Sequence, residues 1–292
     1  MDFLRPATWE EALAAKAAHP EAVPIAGGTD LMVELNFGRR RPACLLDLGR
    51  IGELARWHRE KGAVRLGAAV PYREIAAALG GPLPALAHAA RAVGSPQIRN
   101  RGTVGGNLGT ASPAGDAHPA LLAAGAAVEA ASVRGTRLIP VEEFFTGPRR
   151  NALAADELIR AVRIDPAGGP QEFAKVGTRN AMVVAVCSFA LALDEAGRSV
   201  RTGIGSAAPT PRRAREAEEF LAGVLAEGGH WEDRRPPPPS AARRFAELAA
   251  AACAPIDDVR GSAAYRRHAV AVLARRTLDR TWTAYRGGER CA

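Results

Sequence analysis

The strand and helix signals along the chain place it in the α+β class, with a smaller α+β unit following a break. Three observations carry this. Short apolar strands recur in the first half without the regular alternation of a doubly wound sheet. The run Asp165-Pro166-Ala167-Gly168-Gly169-Pro170 is a linker, because proline and glycine interrupt regular structure. Beyond it, three strand signals are followed by three helical ones, which divides the chain into 1–168 and 171–285.

The elements follow in order. A short strand opens the chain. Thr8 and Glu11 then form a capping box, and Ala12, Leu13 and Ala17 continue the helix. Apolar or alternating runs predict strands at 23–26, 43–48 and 63–68, with helices at 31–35, 72–79 and 83–93. Residues 104–107 read as a glycine-rich turn and 112–115 as a second turn. A helix at 118–124 and strands at 127–131, 137–140 and 158–164 complete the first unit. The second has strands at 171–177, 183–193 and 200–206, then helices at 214–225, 241–252 and 262–284. Pro236-Pro237-Pro238-Pro239 is a stiff extended loop. No segment repeats at a fixed period.

The 292 residues, 47% apolar and 24% charged, are ordinary globular usage and suffice for a real core. Lysine and arginine number 39 against 31 acidic residues, giving +8. Only Lys16, Lys61 and Lys175 are lysine. The arginines are scattered and aromatics are 5%, so no nucleic-acid surface is indicated. No charge-free run of about 18 apolar residues is present to span a membrane. The first residues lack a charged stretch followed by an apolar one, so the cytoplasm is the expected location. Cys44, Cys187, Cys253 and Cys291 are far apart with no CxxC pair, which argues against a zinc site, an iron–sulfur cluster or a disulfide framework. The last helix sets apolar positions amid Arg266, Arg267, Arg275, Arg276 and Arg280. It reads as a core helix with an arginine-covered outer face, in preference to a membrane-surface helix.

Two segments carry chemistry. In Ala26-Gly27-Gly28-Thr29-Asp30-Leu31, an apolar strand runs into two glycines and then a helix. Adjacent glycines can aim successive amides into one concavity, which suits a pyrophosphate. Taken alone, the segment reads first as a tight turn capped by Thr29 or Asp30. In Gly102-Thr103-Val104-Gly105-Gly106-Asn107, continuing to Ser112-Pro113-Ala114-Gly115-Asp116, a second backbone arc is joined by the side chains of Thr103 and Asn107. Asp116 can accept hydrogen bonds from ribose hydroxyls. Neither segment is GxGxxG or GxxxxGK[ST], so the Rossmann and P-loop readings fail. Two separate Gly-Gly turns suit a long dinucleotide held at two places. The histidines form no HExxH, and Ser112 and Ser206 lack a GxSxG context.

These segments resemble a known family. Residues 25–31 look like the first flavin-binding motif of the FAD subunit of xanthine and carbon monoxide dehydrogenases. Residues 94–100, with 102–107 and 112–116, are similar to the second and more specific motif. Residues 173–179 resemble the start of the family's C-terminal domain, and 258–268 its final helix entrance. The resemblance implies a vanillyl-alcohol-oxidase-type (PCMH-type) FAD-binding domain in two subdomains, then a smaller α+β domain. It implies that Ala26, Gly27, Gly28, Thr29, Asp30 and Leu31 bind the pyrophosphate. Gly94, Thr103, Gly105, Gly106 and Asn107 would hold the other side of the FAD, and Asp116 would meet ribose or ribityl hydroxyls. Leu158 or Ile159 and Lys175 would lie near the adenine or the isoalloxazine. For Lys175, an ordinary strand lysine is an equal reading. The tetraproline loop and residues 230–235 match no motif.

The implied role is electron transfer: a molybdopterin-binding large subunit and a 2Fe-2S small subunit feed electrons to FAD here, which passes them to NAD, quinone or dioxygen. No residue of this chain need act as a catalytic acid or base. The alternative is a free-standing flavoenzyme acting on a small molecule, which requires a closed pocket with polar groups over the flavin. A cofactor-free interaction protein is a third reading, and it requires that no flavin bind.

Overall fold

The computed structural model describes residues 1–60, 62–165 and 168–288. Lys61, Cys291 and the Pro166-Ala167 part of the linker lie outside the described residues.

The chain begins with β1 (Asp2–Leu4), α1 (Trp9–Ala18), β2 (Val23–Ile25), α2 (Leu31–Asn36) and β3 (Cys44–Asp47). The three strands form a parallel sheet in the order β1-β3-β2. The capping box at Thr8 and Glu11 is present. Lys16, buried in the last turn of α1, donates to the carbonyls of Pro20 and Ala22 and so fixes the approach to β2. A small core holds Trp9, Leu46, Ile51 and Leu54.

A 3-10 turn at Gly52–Ala55 leads to β4 (Trp57–Glu60), β5 (Ala63–Gly67), α3 (Tyr72–Ala78), α4 (Pro84–Ala92), α5 (Pro96–Arg101), α6 (Val104–Thr110) and α7 (Ala117–Ala123). Then come β6 (Ala127–Ser132), β7 (Gly135–Pro140), α8 (Val141–Phe144), β8 (Phe145–Gly147), β9 (Arg150–Asn151) and β10 (Leu158–Ile164). The main sheet is antiparallel with order β4-β5-β10-β6-β7. The glycine-rich turn expected at 104–107 is instead the start of helix α6. Thr103 caps it, and Gly105 lies where a Cβ would stand 2.6 Å from the Ala68 Cβ. Close packing, rather than a turn, requires that glycine.

The last unit is a meander, β11 (Gly168–Val176), β12 (Cys187–Asp194) and β13 (Ser199–Gly205), covered by α9 (Arg215–Glu227), α10 (His230–Asp233), α11 (Pro239–Ala251) and α12 (Ala263–Arg286). The linker is shorter than expected, since Gly168, Gly169 and Pro170 already belong to β11. A side chain at 169 would strike the Leu193 carbonyl oxygen at 2.3 Å, so glycine lets the strands close. Pro239 is the first residue of α11, a position where its missing N–H costs nothing. Val183 and Val184 precede β12 instead of belonging to it.

Strand β12 serves two cores. Ala190 and Ala192 face the first unit's core, while Phe189, Leu191 and Leu193 face the helical layer. That layer includes Trp231, Trp282 and Tyr285, whose rings meet at 5.0 to 5.9 Å. In α12, Arg267, Arg275, Arg276 and Arg280 are exposed as expected, but Arg266 is buried. It donates to the Ser206 carbonyl and pairs with Asp258. Cys44, Cys187 and Cys253 are buried free thiols, and burial pushes the Cys187 thiol up to about 12.

Candidate functional site

Two cavities of about 440 and 400 Å³ open beside α2 and α6, the first toward the start of β10 and the second toward the 112–116 turn. Both are lined by Ala26, Asp30, Leu31 and Gly106, so they form one continuous cleft.

The first wall is the turn from β2 into α2. Gly27 packs where a Cβ would lie 1.8 Å from the Arg101 carbonyl oxygen, and Gly28 adopts φ 76°. This backbone path leaves successive amides facing outward. Those of Gly27, Gly28, Thr29, Asp30 and Leu31 donate to no acceptor among the described residues. Amides left without a protein acceptor at a cleft wall, continued by the start of a helix, are donors available to an anion. Asp30 stands at the N-cap of α2 with no side-chain cap bond.

The second wall differs from the expected backbone arc. The Gly105 amide donates to the Ala68 carbonyl at 2.8 Å, and the Gly106 amide to Thr103 Oγ1 at 3.0 Å. Both are used inside the fold. What faces the cleft is the bare Cα surface of Gly106, with the Asn107 side chain lining the second cavity. Asn107 Oδ1 is buried without a partner among the described residues. His118 supports this wall from behind. Its Nε2 lies 3.3 Å from the Asn107 carbonyl oxygen, and its ring is 4.5 Å from that of Phe145. Burial lowers its pKa to about 4, so the ring is neutral at pH 7 and donates through Nε2. Gly115 accommodates it, since a Cβ there would lie 2.3 Å from the ring.

At the far end, Asp116 reaches the second cavity. Its Oδ2 accepts from Lys175 Nζ at 2.7 Å, and Lys175 also donates to the Ala92 carbonyl at 2.8 Å. Burial raises the Asp116 pKa to about 6, against the opposing pull of Lys175. Its Oδ1 is buried with no partner among the described residues. Lys175 stands behind Asp116 and does not line the cleft. Gly94, at φ 41°, lines the same cavity, its carbonyl held by Arg99. Leu158 and Ile159 begin β10 and line the other cavity with Leu48 and Leu54. Leu158 and Ile159 therefore lie apart from Asp116 and Lys175.

Sequence reasoning missed two residues. Tyr72 is buried, its hydroxyl unpartnered at the second cavity, and burial with Asp116 and Asp30 nearby pushes its pKa well up. Arg149 lines both cavities. No local pattern marks either; tertiary structure alone brings them there. Among the described residues no cluster of metal-binding side chains occurs. No helix among them is long and apolar enough to cross a membrane.

Residues 1–167 match the family described as FAD binding domain in molybdopterin dehydrogenase, and 172–281 match the CO dehydrogenase flavoprotein C-terminal domain. The chain is 34% identical over 285 residues to the nicotine 6-hydroxylase medium subunit of Paenarthrobacter nicotinovorans, covering 94% of this chain and 95% of that one. It is 38% identical over 239 residues to the nicotinate dehydrogenase FAD-subunit of Eubacterium barkeri, covering 76% and 80%. The fold superposes on a chain of carbon monoxide dehydrogenase from Hydrogenophaga pseudoflava with a TM-score of 0.88 at 27% identity, covering 97% of each chain. A chain of quinoline 2-oxidoreductase from Pseudomonas putida 86 gives 0.88 at 26% identity, again covering 97% of each. The chain belongs to the family of FAD-binding subunits of molybdopterin dehydrogenases.

Proposed function

We propose that this chain holds one FAD along the cleft and acts as the electron-transfer subunit of a molybdenum-hydroxylase-type dehydrogenase. The observation that carries the proposal is the run of five unpartnered amides at 27–31, which lines the second cavity and reaches, at Asp30 and Leu31, the first. Those amides bind the diphosphate. One cavity receives each ring system, and the buried Oδ1 of Asp116 accepts from a sugar or ribityl hydroxyl. Ala26, Gly28, Thr29, Asp30 and Leu31 form the near wall; Gly94, Thr103, Gly106 and Asn107 form the far one. Gly27 and Gly105 serve by permitting close backbone packing, and Lys175 by holding Asp116. Leu158 and Ile159 supply apolar surface to a flat ring. Bound FAD supplies the redox chemistry, and the protein's task is to position it and exclude water.

On this reading residues 1–168 carry the FAD site and 171–285 brace it. A molybdopterin-binding large subunit and a 2Fe-2S small subunit supply the electrons, in the cytoplasm. NAD, quinone or dioxygen receives them. The test is to purify the full chain, record its visible spectrum, and isolate its partners from native extract. A yellow protein with one FAD per chain, and substrate turnover only in the complex, is expected. A colourless protein that takes up no FAD would refute the site. Turnover by the isolated chain would refute the subunit role.

A further inference from the structure

Arg149 is the only cationic side chain among the described residues that lines both cavities. Its backbone stands at φ 59°, a region that a non-glycine residue keeps only when its surroundings hold it there. Two hydrogen bonds do so. The Arg149 amide donates to the Ala111 carbonyl at 3.0 Å, and Asn151 Nδ2 donates to the Gly109 carbonyl at 3.0 Å. Both acceptors lie at the C-terminal end of α6. The β8–β9 hairpin thus rides on the helix whose first turn carries Gly106, and it brings Arg149 to the junction of the cleft.

The Arg149 guanidinium reaches across to pair with Glu34 of α2. Glu34 is mostly buried, whereas the Arg149 side chain is more than half exposed. Glu34 has a second cation, Arg40, at 3.8 Å. Arg149 can therefore leave without stranding the carboxylate. Asp30 and Leu31, the last two of the five free amides, line both cavities at this same junction.

We infer that Arg149 is a diphosphate-binding residue held in reserve on Glu34. When the dinucleotide fills the cleft, its guanidinium exchanges the carboxylate for diphosphate oxygens. A planar fork of N–H donors matches two such oxygens at once, and a diphosphate offers more charge than a carboxylate. The inference rests on the cleft being the FAD site.

The test is calorimetric titration of FAD into the full chain freed of flavin, for wild type, R149Q, E34Q and R150Q. Arg150 is the exposed neighbour on the same hairpin, lines neither cavity, and controls for net charge. R149Q should weaken binding by about tenfold or more. R150Q should stay within about twofold of wild type. E34Q frees Arg149 beforehand and should bind as tightly as wild type or more so. If R149Q binds like R150Q, or if E34Q weakens binding as much as R149Q, the exchange is refuted. The second result would reduce the pair to a structural strap. Wild-type protein that binds no FAD would refute the site itself, a different failure from an R149Q that binds as wild type does.

Discussion

Asp116 and His118 sit two residues apart, and burial moves their proton affinities in opposite directions. His118 titrates near 4 in the fold against 6.5 unfolded, so the unfolded chain binds more protons between those values. Its contribution falls as pH drops through that window, by about 3 kcal/mol in all. Asp116 titrates near 6 against 3.8, so here the folded chain binds more protons. Its contribution falls as pH rises from 3.8 to about 6, by a similar amount. The two nearly cancel between pH 4 and 6. His118→Gln removes one side of that balance. Urea unfolding at pH 4.5 and pH 7 should show the variant gaining stability on acidification relative to wild type; identical pH dependence would contradict the burial argument. Lys175→Met tests the ion pair. It removes the charge that pulls the Asp116 pKa down, so the buried carboxyl must ionise unpaired or stay protonated, and a loss of up to about 3–5 kcal/mol is expected as pH rises above the wild-type value. Near pH 5 Asp116 takes up a proton and the loss should shrink. A loss equal at both pH values would mean that Lys175 acts through packing alone.

Helix α6 carries two adjacent glycines with different duties. A methyl at 105 would press on the Ala68 backbone, whereas a methyl at 106 meets only Thr103 Oγ1 and otherwise enters the cleft. Gly105→Ala should cost about 1–3 kcal/mol of stability. Gly106→Ala should keep or raise the melting temperature, since alanine favours helix by up to about 1 kcal/mol over glycine, yet weaken FAD binding. Thermal melts paired with FAD titration check both; unchanged FAD affinity in Gly106→Ala would remove that surface from the site. This helix also marks where sequence reading stops. Strands with apolar patterns, such as β3, β5 and β12, and the capped helix α1 were legible from local chemistry. Two glycines read locally as a turn, but the Thr103 cap and the packing of Gly105 on Ala68 place them in a helix. The segments β4, α5, the β8–β9 hairpin and α10 are short and polar, with little pattern to see. In the site, the Gly-Gly segments stood out by letter. Tyr72, Arg149 and the Asp116–Lys175 contact did not, because they depend on which elements meet.

Across the whole molecule, β12 couples the two cores, with Ala190 and Ala192 on one side and Phe189, Leu191 and Leu193 on the other. Neither core can open without uncovering this strand. Trp282→Ala, which empties a buried site in the helical layer, should cost about 3–5 kcal/mol. Hydrogen exchange in that variant should rise together in α12 and in α4 and α7; opening of α12 while the others stay protected would show the cores to be independent. The same strand also governs recombination with relatives. A chimera that joins the first half of this chain to another's second half meets a foreign surface at β11 and β12. It will hold only if small residues stand at 190 and 192 and a lysine at 175 to meet Asp116. Crossovers placed within the α9–α12 layer leave that seam intact, and shuffling should succeed there first.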